Sequence, residues 1–214
     1  MNKTKKIILI SVIAIIVIAI IAVAIWYFVG RNSKEKNPEE QTAKVQELYN
    51  SLSEKDTYSF KTIVDDNNSS YFAKQGDKSY YEVKIDGETS KYLMADGNTY
   101  YIVDDQKAYY TYQNNQTYLN KIEVGLEELL NMEYTSGEEE IDGKKYDYNE
   151  YVNFASFAIK PFEASNSATR LYFKGNDLKY IKTISGDHEE TLEVEISNNV
   201  DSNLFKLPEG YSEN

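Results

Sequence analysis

Short turn motifs recur along most of this chain and cut it into segments of strand length. They are Gly-Asp, Asp-Gly and Gly-Asn pairs, which readily take the positive φ angles of a two-residue hairpin loop. Six such pairs occur at the spacing of an antiparallel meander: Gly76-Asp77, Asp86-Gly87, Asp96-Gly97, Asp142-Gly143, Gly175-Asn176 and Gly186-Asp187. Apolar and polar residues alternate between them, so the sequence predicts a mainly β (α+β) fold of about ten or eleven strands.

The three central hairpins predict which residues share a face, because loop length fixes the register of two strands. The loops are Asp86-Gly87, Asp96-Gly97 and a turn at Asp105-Gln106. All three registers agree on one apolar face, which carries Tyr81, Val83, Ile85, Tyr92, Met94, Tyr101, Val103, Ala108, Tyr110 and Tyr112. This face is the candidate surface for a hydrophobic ligand, since tyrosine combines a large apolar ring with a polar tip. The alternative is that helices cover it as ordinary core.

The later hairpins predict a second set of pairings. Asp142-Gly143 joins two strands near 133–141 and 144–154, and Gly175-Asn176 is expected to place Leu171 opposite Tyr180. For the last hairpin we expect a three-residue loop, Gly186 to His188, because a two-residue loop would mix apolar and polar faces.

Two segments have the period of a helix. The first is expected to begin at Asn37-Pro38 and to end near Ser53, with an apolar stripe at Val45, Leu48, Tyr49 and Leu52. The second is a short amphipathic helix marked by Ile122, Leu126, Leu129 and Leu130. It is either a lid over the candidate face or an ordinary packing helix.

A run of 23 uncharged residues, Ile7 to Val29, precedes all of these elements. Such a run is long enough to cross a hydrocarbon core of about 30 Å, and Trp26, Tyr27 and Phe28 suit the membrane interface. We expect a signal-anchor with its amino terminus in the cytoplasm and the following domain outside. Cleavage at Ala22-Val23-Ala24 and a buried core helix remain the alternatives.

Charge and cysteine content exclude several classes of function. The chain carries 35 acidic and 23 basic side chains and no cysteine. All of the acidic excess lies beyond residue 31, where 19 basic side chains face 35 acidic ones. Nucleic-acid binding is disfavoured because the domain repels phosphate, and a lipoprotein-type cysteine anchor is impossible.

Few residues are suited to catalysis. The single histidine, His188, is expected at a solvated hairpin tip, and no common catalytic motif occurs. Acidic clusters at Asp65-Asp66, Asp104-Asp105 and Glu138 to Glu140 lack the ligand spacing of a calcium loop. We therefore expect no catalytic residue, no metal, no cofactor and no enzymatic activity.

Two stretches resemble a known superfamily. The ending Val200 to Tyr211 is similar to the closing "D-x-x-L-F-x-L-P-x-G-Y" strand of bacterial LolA/LppX-like lipoprotein-carrier half-barrels, and Tyr100 to Lys107 resembles one of their strand-turn-strand units. The resemblance covers roughly residues 38–211. It implies an incomplete barrel around a helix, whose concave apolar face binds lipid or lipidated protein. The carriers' cavity arginine has no counterpart here, since the first strand offers only Lys61.

These patterns together predict a signal-anchor at 1–30, a linker at 31–37 and an extracytoplasmic half-barrel at 38–214. The expected function is a membrane-anchored binding module for a lipid or a lipidated protein. The alternative is a structural or protein-interaction domain at the cell surface with no small-molecule ligand.

Overall fold

Twelve strands and two α-helices form in the described part of the computed structural model, which comprises residues 44–113, 121–154, 157 and 167–214. The predicted anchor, the linker and the helix start at Asn37-Pro38 lie outside these ranges. Neither of the two described α-helices is long and apolar enough to cross a membrane.

The helices are α1 (Lys44–Ser53) and α2 (Lys121–Leu130). The strands are β1 (Thr57–Asp65), β2 (Asn68–Gln75), β3 (Lys78–Ile85), β4 (Glu88–Ala95), β5 (Asn98–Val103), β6 (Ala108–Gln113), β7 (Thr135–Ile141), β8 (Lys144–Val152), β9 (Ser167–Lys174), β10 (Asp177–Ser185), β11 (His188–Ser197) and β12 (Ser212–Glu213). The end of the first helix at Ser53 and the existence of the second helix confirm the sequence prediction.

All strands belong to one open sheet in the order β12-β6-β5-β4-β3-β2-β1-β11-β10-β9-β8-β7. Two meanders, β1 to β6 and β7 to β11, join where β1 pairs with β11. The two-residue strand β12 pairs in parallel with β6 and is additional to the ten or eleven strands predicted. The predicted incomplete barrel is therefore an open sheet with its edges at β7 and β12.

The central hairpins have the predicted registers. Asp86 and Gly87 both have positive φ, 51° and 85°, as a type I′ turn requires. Tyr81 lies opposite Tyr92, Tyr92 opposite Tyr101, and Tyr101 opposite Tyr110.

The β9–β10 pairing differs from the prediction. Leu178 lies opposite Phe173 as expected, but a β-bulge follows, and Tyr180 lies opposite Tyr172. The expected pairing of Tyr180 with Leu171 was wrong because the bulge inserts one unpaired residue and shifts the register by one.

The last hairpin also differs from the prediction. Its loop is the two-residue turn Gly186-Asp187, with Ser185 opposite His188 and Ile184 opposite Glu189. The three-residue loop was wrong for the same reason. The bulge shifts the later residues of β10 by one position, so a two-residue loop no longer mixes the apolar and polar faces. Past the bulge it is Ile181 and Thr183 that face the core, both fully buried.

The main core fills the concave side of the sheet between β1, β2 and β8 to β11. There α1 contributes Val45, Leu48 and Leu52, and the side chains of α2 meet Phe60, Phe72, Leu171 and Ile181 in the same cluster. Removing each large side chain of this kind from water contributes about 1.5–3 kcal/mol, which holds both helices on the sheet.

The convex face of the first meander is also buried, which the single apolar face of the prediction did not include. Residues 198–214, the carboxy-terminal strap, run across it. Phe205, 3% exposed, packs with Ala73 and Tyr80, while Leu207 and Tyr211 cover a cluster on β4 and β5.

Candidate ligand-binding face

Four tyrosines form a row across the concave side of β3 to β6. We call Tyr81, Tyr92, Tyr101 and Tyr110 the tyrosine ladder. Successive ring centroids are 6.4, 5.1 and 6.4 Å apart, within the range in which aromatic rings attract each other. Each ladder side chain is half-buried, so the row is neither sealed core nor open surface.

The ladder continues a row of core residues without a break. On the neighbouring strands, Tyr81 lies opposite Phe72, Phe72 opposite Phe60, and Phe60 opposite Ile196. Phe60 and Phe72 are 0% and 1% exposed, whereas Tyr112 beyond the ladder on β6 is 48% exposed. The row therefore passes from full burial at Phe60 and Phe72 to partial burial along the ladder.

The two helices cover only the buried end of this row. Tyr81 packs against the main core, whereas the described contacts of α1 and α2 place them over β1, β2 and the second meander. Within the described chain, the rest of the ladder lies beyond the main core, and its aromatic rings are partly exposed.

The phenols of Tyr81 and Tyr92 are uncharged at neutral pH. Burial, assisted by the neighbouring Tyr92, raises the pKa of Tyr81 to about 12. Burial also raises the pKa of Tyr92 above its usual value. The hydroxyl of Tyr110 accepts a hydrogen bond from the Nδ2 of Asn214 at 3.0 Å. The ladder thus combines apolar ring faces with hydrogen-bonding hydroxyl tips, which suits a lipid tail that carries ester or amide groups.

The remaining members of the predicted face occupy its margins. Met94 and Ala108 are 7% and 4% exposed, and Val83 and Val103 are half-buried. Ile85, 41% exposed, forms a rim at the end of β3.

The candidate lid helix packs into the main core. Ile122, Leu126 and Leu129 are buried, and Leu130 packs against them. Glu123 holds the helix to the sheet, since its Oε1 accepts hydrogen bonds from the hydroxyl of Tyr58 at 2.6 Å and from Lys74 at 3.0 Å. This is how a packing helix is held; a role as a lid stays a prediction.

Sequence reasoning missed a polar network on the convex face of the second meander. Glu139 accepts hydrogen bonds from the hydroxyl of Tyr172 and from Arg170, both at 2.7 Å, and Arg170 also contacts Glu150. The guanidinium lies 4.8 Å from the centre of the Tyr148 ring. The network depends on the register of β8 against β9. A long connection, residues 153–166, joins these two strands, so no short turn in the sequence predicts that register.

His188 is exposed and is the first residue of β11, opposite Ser185, so it lies beside the Gly186-Asp187 turn and not within the loop as predicted. Lys61 on β1 pairs with Glu195 at 3.4 Å. Among the described residues, no group of three metal-ligating side chains comes together.

No family model matches this sequence, and no curated protein matches it. Among solved structures, LprF from Mycobacterium bovis is similar with a TM-score of 0.45, 11% identity and coverage of 78% of this chain and 95% of that chain. Lipoprotein LppX from Mycobacterium tuberculosis gives 0.43, 14%, 76% and 99%, and a LolA superfamily protein from Nitrosomonas europaea gives 0.24, 10%, 70% and 88%. These neighbours carry the names of the LolA/LppX-like superfamily that the sequence resembles.

Proposed function

We propose that this chain is a membrane-anchored extracytoplasmic binding module that holds a lipid or the lipid moiety of a protein against the tyrosine ladder. The observation that carries the proposal is the half-buried state of the ladder. Four aromatic rings continue the core row, three of them beyond the main core, and all four keep part of their surface accessible.

The dimensions of the ladder suit an extended hydrocarbon chain. Strands lie about 4.8 Å apart, so a row crossing β3 to β6 is about 14 Å long. A chain laid along it contacts four ring faces in succession. Removal of apolar surface from water contributes about 25 cal/mol per Å², so covering the exposed parts of the rings drives binding.

The tyrosine ladder differs in charge from the rest of the domain. The domain is strongly acidic, yet the ladder presents tyrosine rings in place of carboxylates, and the pKa values of Tyr81 and Tyr92 are raised. The predicted anchor at Ile7 to Val29 would keep this surface near the outer leaflet.

The test uses the full-length chain, purified in neutral detergent, delipidated and then exposed to a mixture of phosphatidylethanolamine and phosphatidylglycerol. Native mass spectrometry should show lipid bound to the wild type. Tyr92→Asp and Tyr101→Asp place a charge in the ladder and should each weaken binding by at least about tenfold, since about 1.4 kcal/mol is enough for that change.

Tyr109→Asp is the matched control, because Tyr109 lies on β6 with its ring against Tyr100 on the opposite face. Circular dichroism checks that each variant is folded. Absence of any bound lipid on the wild type, or equal losses in Tyr101→Asp and Tyr109→Asp, would contradict the proposal.

The second candidate is a protein-interaction domain, and the edge strand β7 favours it. In the described chain β7 pairs only with β8, so its other side offers backbone groups to an added strand. Crosslinking in intact cells distinguishes the two functions. A protein crosslink that survives Tyr101→Asp, together with no bound lipid, would favour this second function.

A further inference from the structure

A small cavity lies on the convex side of the second meander, away from the tyrosine ladder. It has a volume of about 250 Å³. It is lined by Lys144, Tyr146, Lys174, Lys179, Tyr180, Glu193 and Val194. These residues come from four neighbouring strands, at the end of the sheet where the β7–β8 and β9–β10 hairpins turn.

Aromatic side chains build the wall of the cavity. Tyr146 is only 6% exposed, and its ring meets that of Tyr180 edge to face with centroids 5.3 Å apart. Tyr180 lies opposite Tyr172, whose side chain is fully buried. Two phenol groups are thereby fixed on rigid strands, and each hydroxyl can donate or accept a hydrogen bond.

The charge of the lining is opposite to that of the domain. Three lysines and one glutamate line the cavity, whereas acidic side chains outnumber basic ones by 35 to 23 in the chain as a whole. One of the three, Lys179, also contacts Asp177 at 3.3 Å. Repulsion from carboxylates farther than about 8 Å is screened at physiological ionic strength, so the nearby charges, which are the three lysines, Glu193, Asp177 and Asp142, decide what the cavity attracts.

The bulge in β10 is what brings the third lysine here. The register shift falls between Leu178 and Tyr180, so Lys179 is the residue left without a partner on β9. In a regular strand, Lys179 would have a partner on β9 and its side chain would alternate in direction with those of its neighbours. Bulges often redirect a side chain toward a functional position.

Size and chemistry restrict the ligand. Sites for drug-sized molecules measure about 300–1,000 Å³, so this cavity is suited to a smaller group. Ammonium groups are common phosphate ligands, while the Glu193 carboxylate can accept hydrogen bonds from hydroxyl groups beside the phosphate. A phosphate next to a small polyol satisfies both requirements.

We propose that this cavity is a binding site for a phosphate ester of a small polyol, with glycerol phosphate as its simplest form. Lys144, Lys174 and Lys179 bind the phosphate, and Glu193 accepts a hydrogen bond from a neighbouring hydroxyl. The same group occurs free in solution and as the head of phosphatidylglycerol.

Isothermal titration of the full-length chain in neutral detergent with sn-glycerol 3-phosphate tests the site. The wild type should bind, and the triple variant Lys144→Gln, Lys174→Gln, Lys179→Gln should lose at least about tenfold in affinity, as expected for removal of three charges. Glu193→Gln should weaken glycerol 3-phosphate more than inorganic phosphate, because only the former carries hydroxyls on carbon.

Lys55→Gln, Lys107→Gln and Lys206→Gln together form the control, because these lysines lie outside the cavity and the chain loses the same charge. Tyr92→Asp should leave glycerol 3-phosphate binding unchanged, which separates this site from the tyrosine ladder. No heat with the wild type, or equal losses in the two lysine triples, would overturn the proposal.

Vesicles distinguish the two sources of the phosphate. If the site takes a lipid head, phosphatidylglycerol vesicles should compete with glycerol 3-phosphate for the full-length chain, and phosphatidylcholine vesicles should not. If it takes the free ester, neither vesicle should compete. Competition by phosphatidylcholine alone would contradict the assigned chemistry.

Discussion

Glu139 is the side chain on which the polar contacts of the second meander converge. The hydrogen bond from the Tyr172 hydroxyl, together with Lys182 and Arg170, holds the pKa of this carboxyl below its usual value. Its side chain is 31% exposed and that of Arg170 is 25% exposed. Because both groups are partly desolvated, the contacts should contribute more than an open surface ion pair.

The pH dependence of stability follows from that lowered pKa. In the unfolded chain, Glu139 has its ordinary pKa of 4.5 and binds a proton near that pH. In the folded chain, its pKa is lower, so it binds a proton only at lower pH. The contribution is therefore present above pH 4.5 and is lost as the pH falls through the folded pKa. Urea unfolding at several pH values should show that Glu139→Gln lowers the unfolding free energy by about 1 kcal/mol at pH 7 and by less in acid.

Glu138→Gln is the matched control, because Glu138 is the exposed neighbour on the same strand. This substitution should leave the decrease in unfolding free energy at acid pH unchanged. Identical curves for Glu139→Gln and the wild type would show that the network contributes no net stability.

At the scale of elements, the bulge in β10 sets which residues of that strand face the core. Leu178 is 2% exposed and Ile181 is fully buried, although three positions separate them. A regular strand would place these residues on opposite faces. One extra residue therefore puts both of them in the main core.

Deletion of Lys179 should consequently be tolerated, because it leaves a regular strand in which Leu178 and Ile181 still share a face. We expect a change of less than about 1.5 kcal/mol in the unfolding free energy. Deletion of Lys182 turns the buried Thr183 outward and disrupts the pairing with β11, at a cost of about 3 kcal/mol or more. Chemical unfolding of both variants measures this, and a larger loss for the Lys179 deletion would refute the interpretation of the bulge.

The hairpins show how much of the fold the sequence could predict. Short turns fix the register locally, so the pairing of Tyr81, Tyr92, Tyr101 and Tyr110 followed from the turns at Asp86-Gly87, Asp96-Gly97 and Asp105-Gln106. The bulge could not be predicted because no glycine or proline marks it, and Lys179 fits either a paired or an unpaired position. The ladder residues were foreseen, but not that helices would cover only one end of their row.

At the scale of the whole molecule, the carboxy-terminal strap completes the edge of the first meander. Ser212 donates its backbone N–H to the carbonyl of Lys107 at 3.1 Å, and Asn214 donates to that of Tyr109 at 3.0 Å. These bonds satisfy groups on β6 that would otherwise be open to another chain. The other edge, β7, carries exposed Glu138 and Glu140, whose charge opposes pairing with a second copy of this acidic chain.

Removal of residues 212–214 should therefore promote self-association more than it lowers stability. Sedimentation of the full-length chain and of the truncated variant in neutral detergent should show a larger dimer or aggregate fraction for the truncated variant. Glu213→Gln is the control because it keeps the backbone bonds. A truncated chain that stays monomeric at every concentration would argue against a protective role for β12.

The pairings of β1 with β11 and of β6 with β12 also restrict the order in which the molecule can be assembled during synthesis. Asn214 contacts Tyr110 across a sequence separation of 104 residues, and the seam between the two meanders needs β11. Contacts of such long range form slowly because loop closure must precede them. While the second meander is still being translated, both outer strands of the first meander are unpaired, and this is the stage at which its edges are exposed for longest.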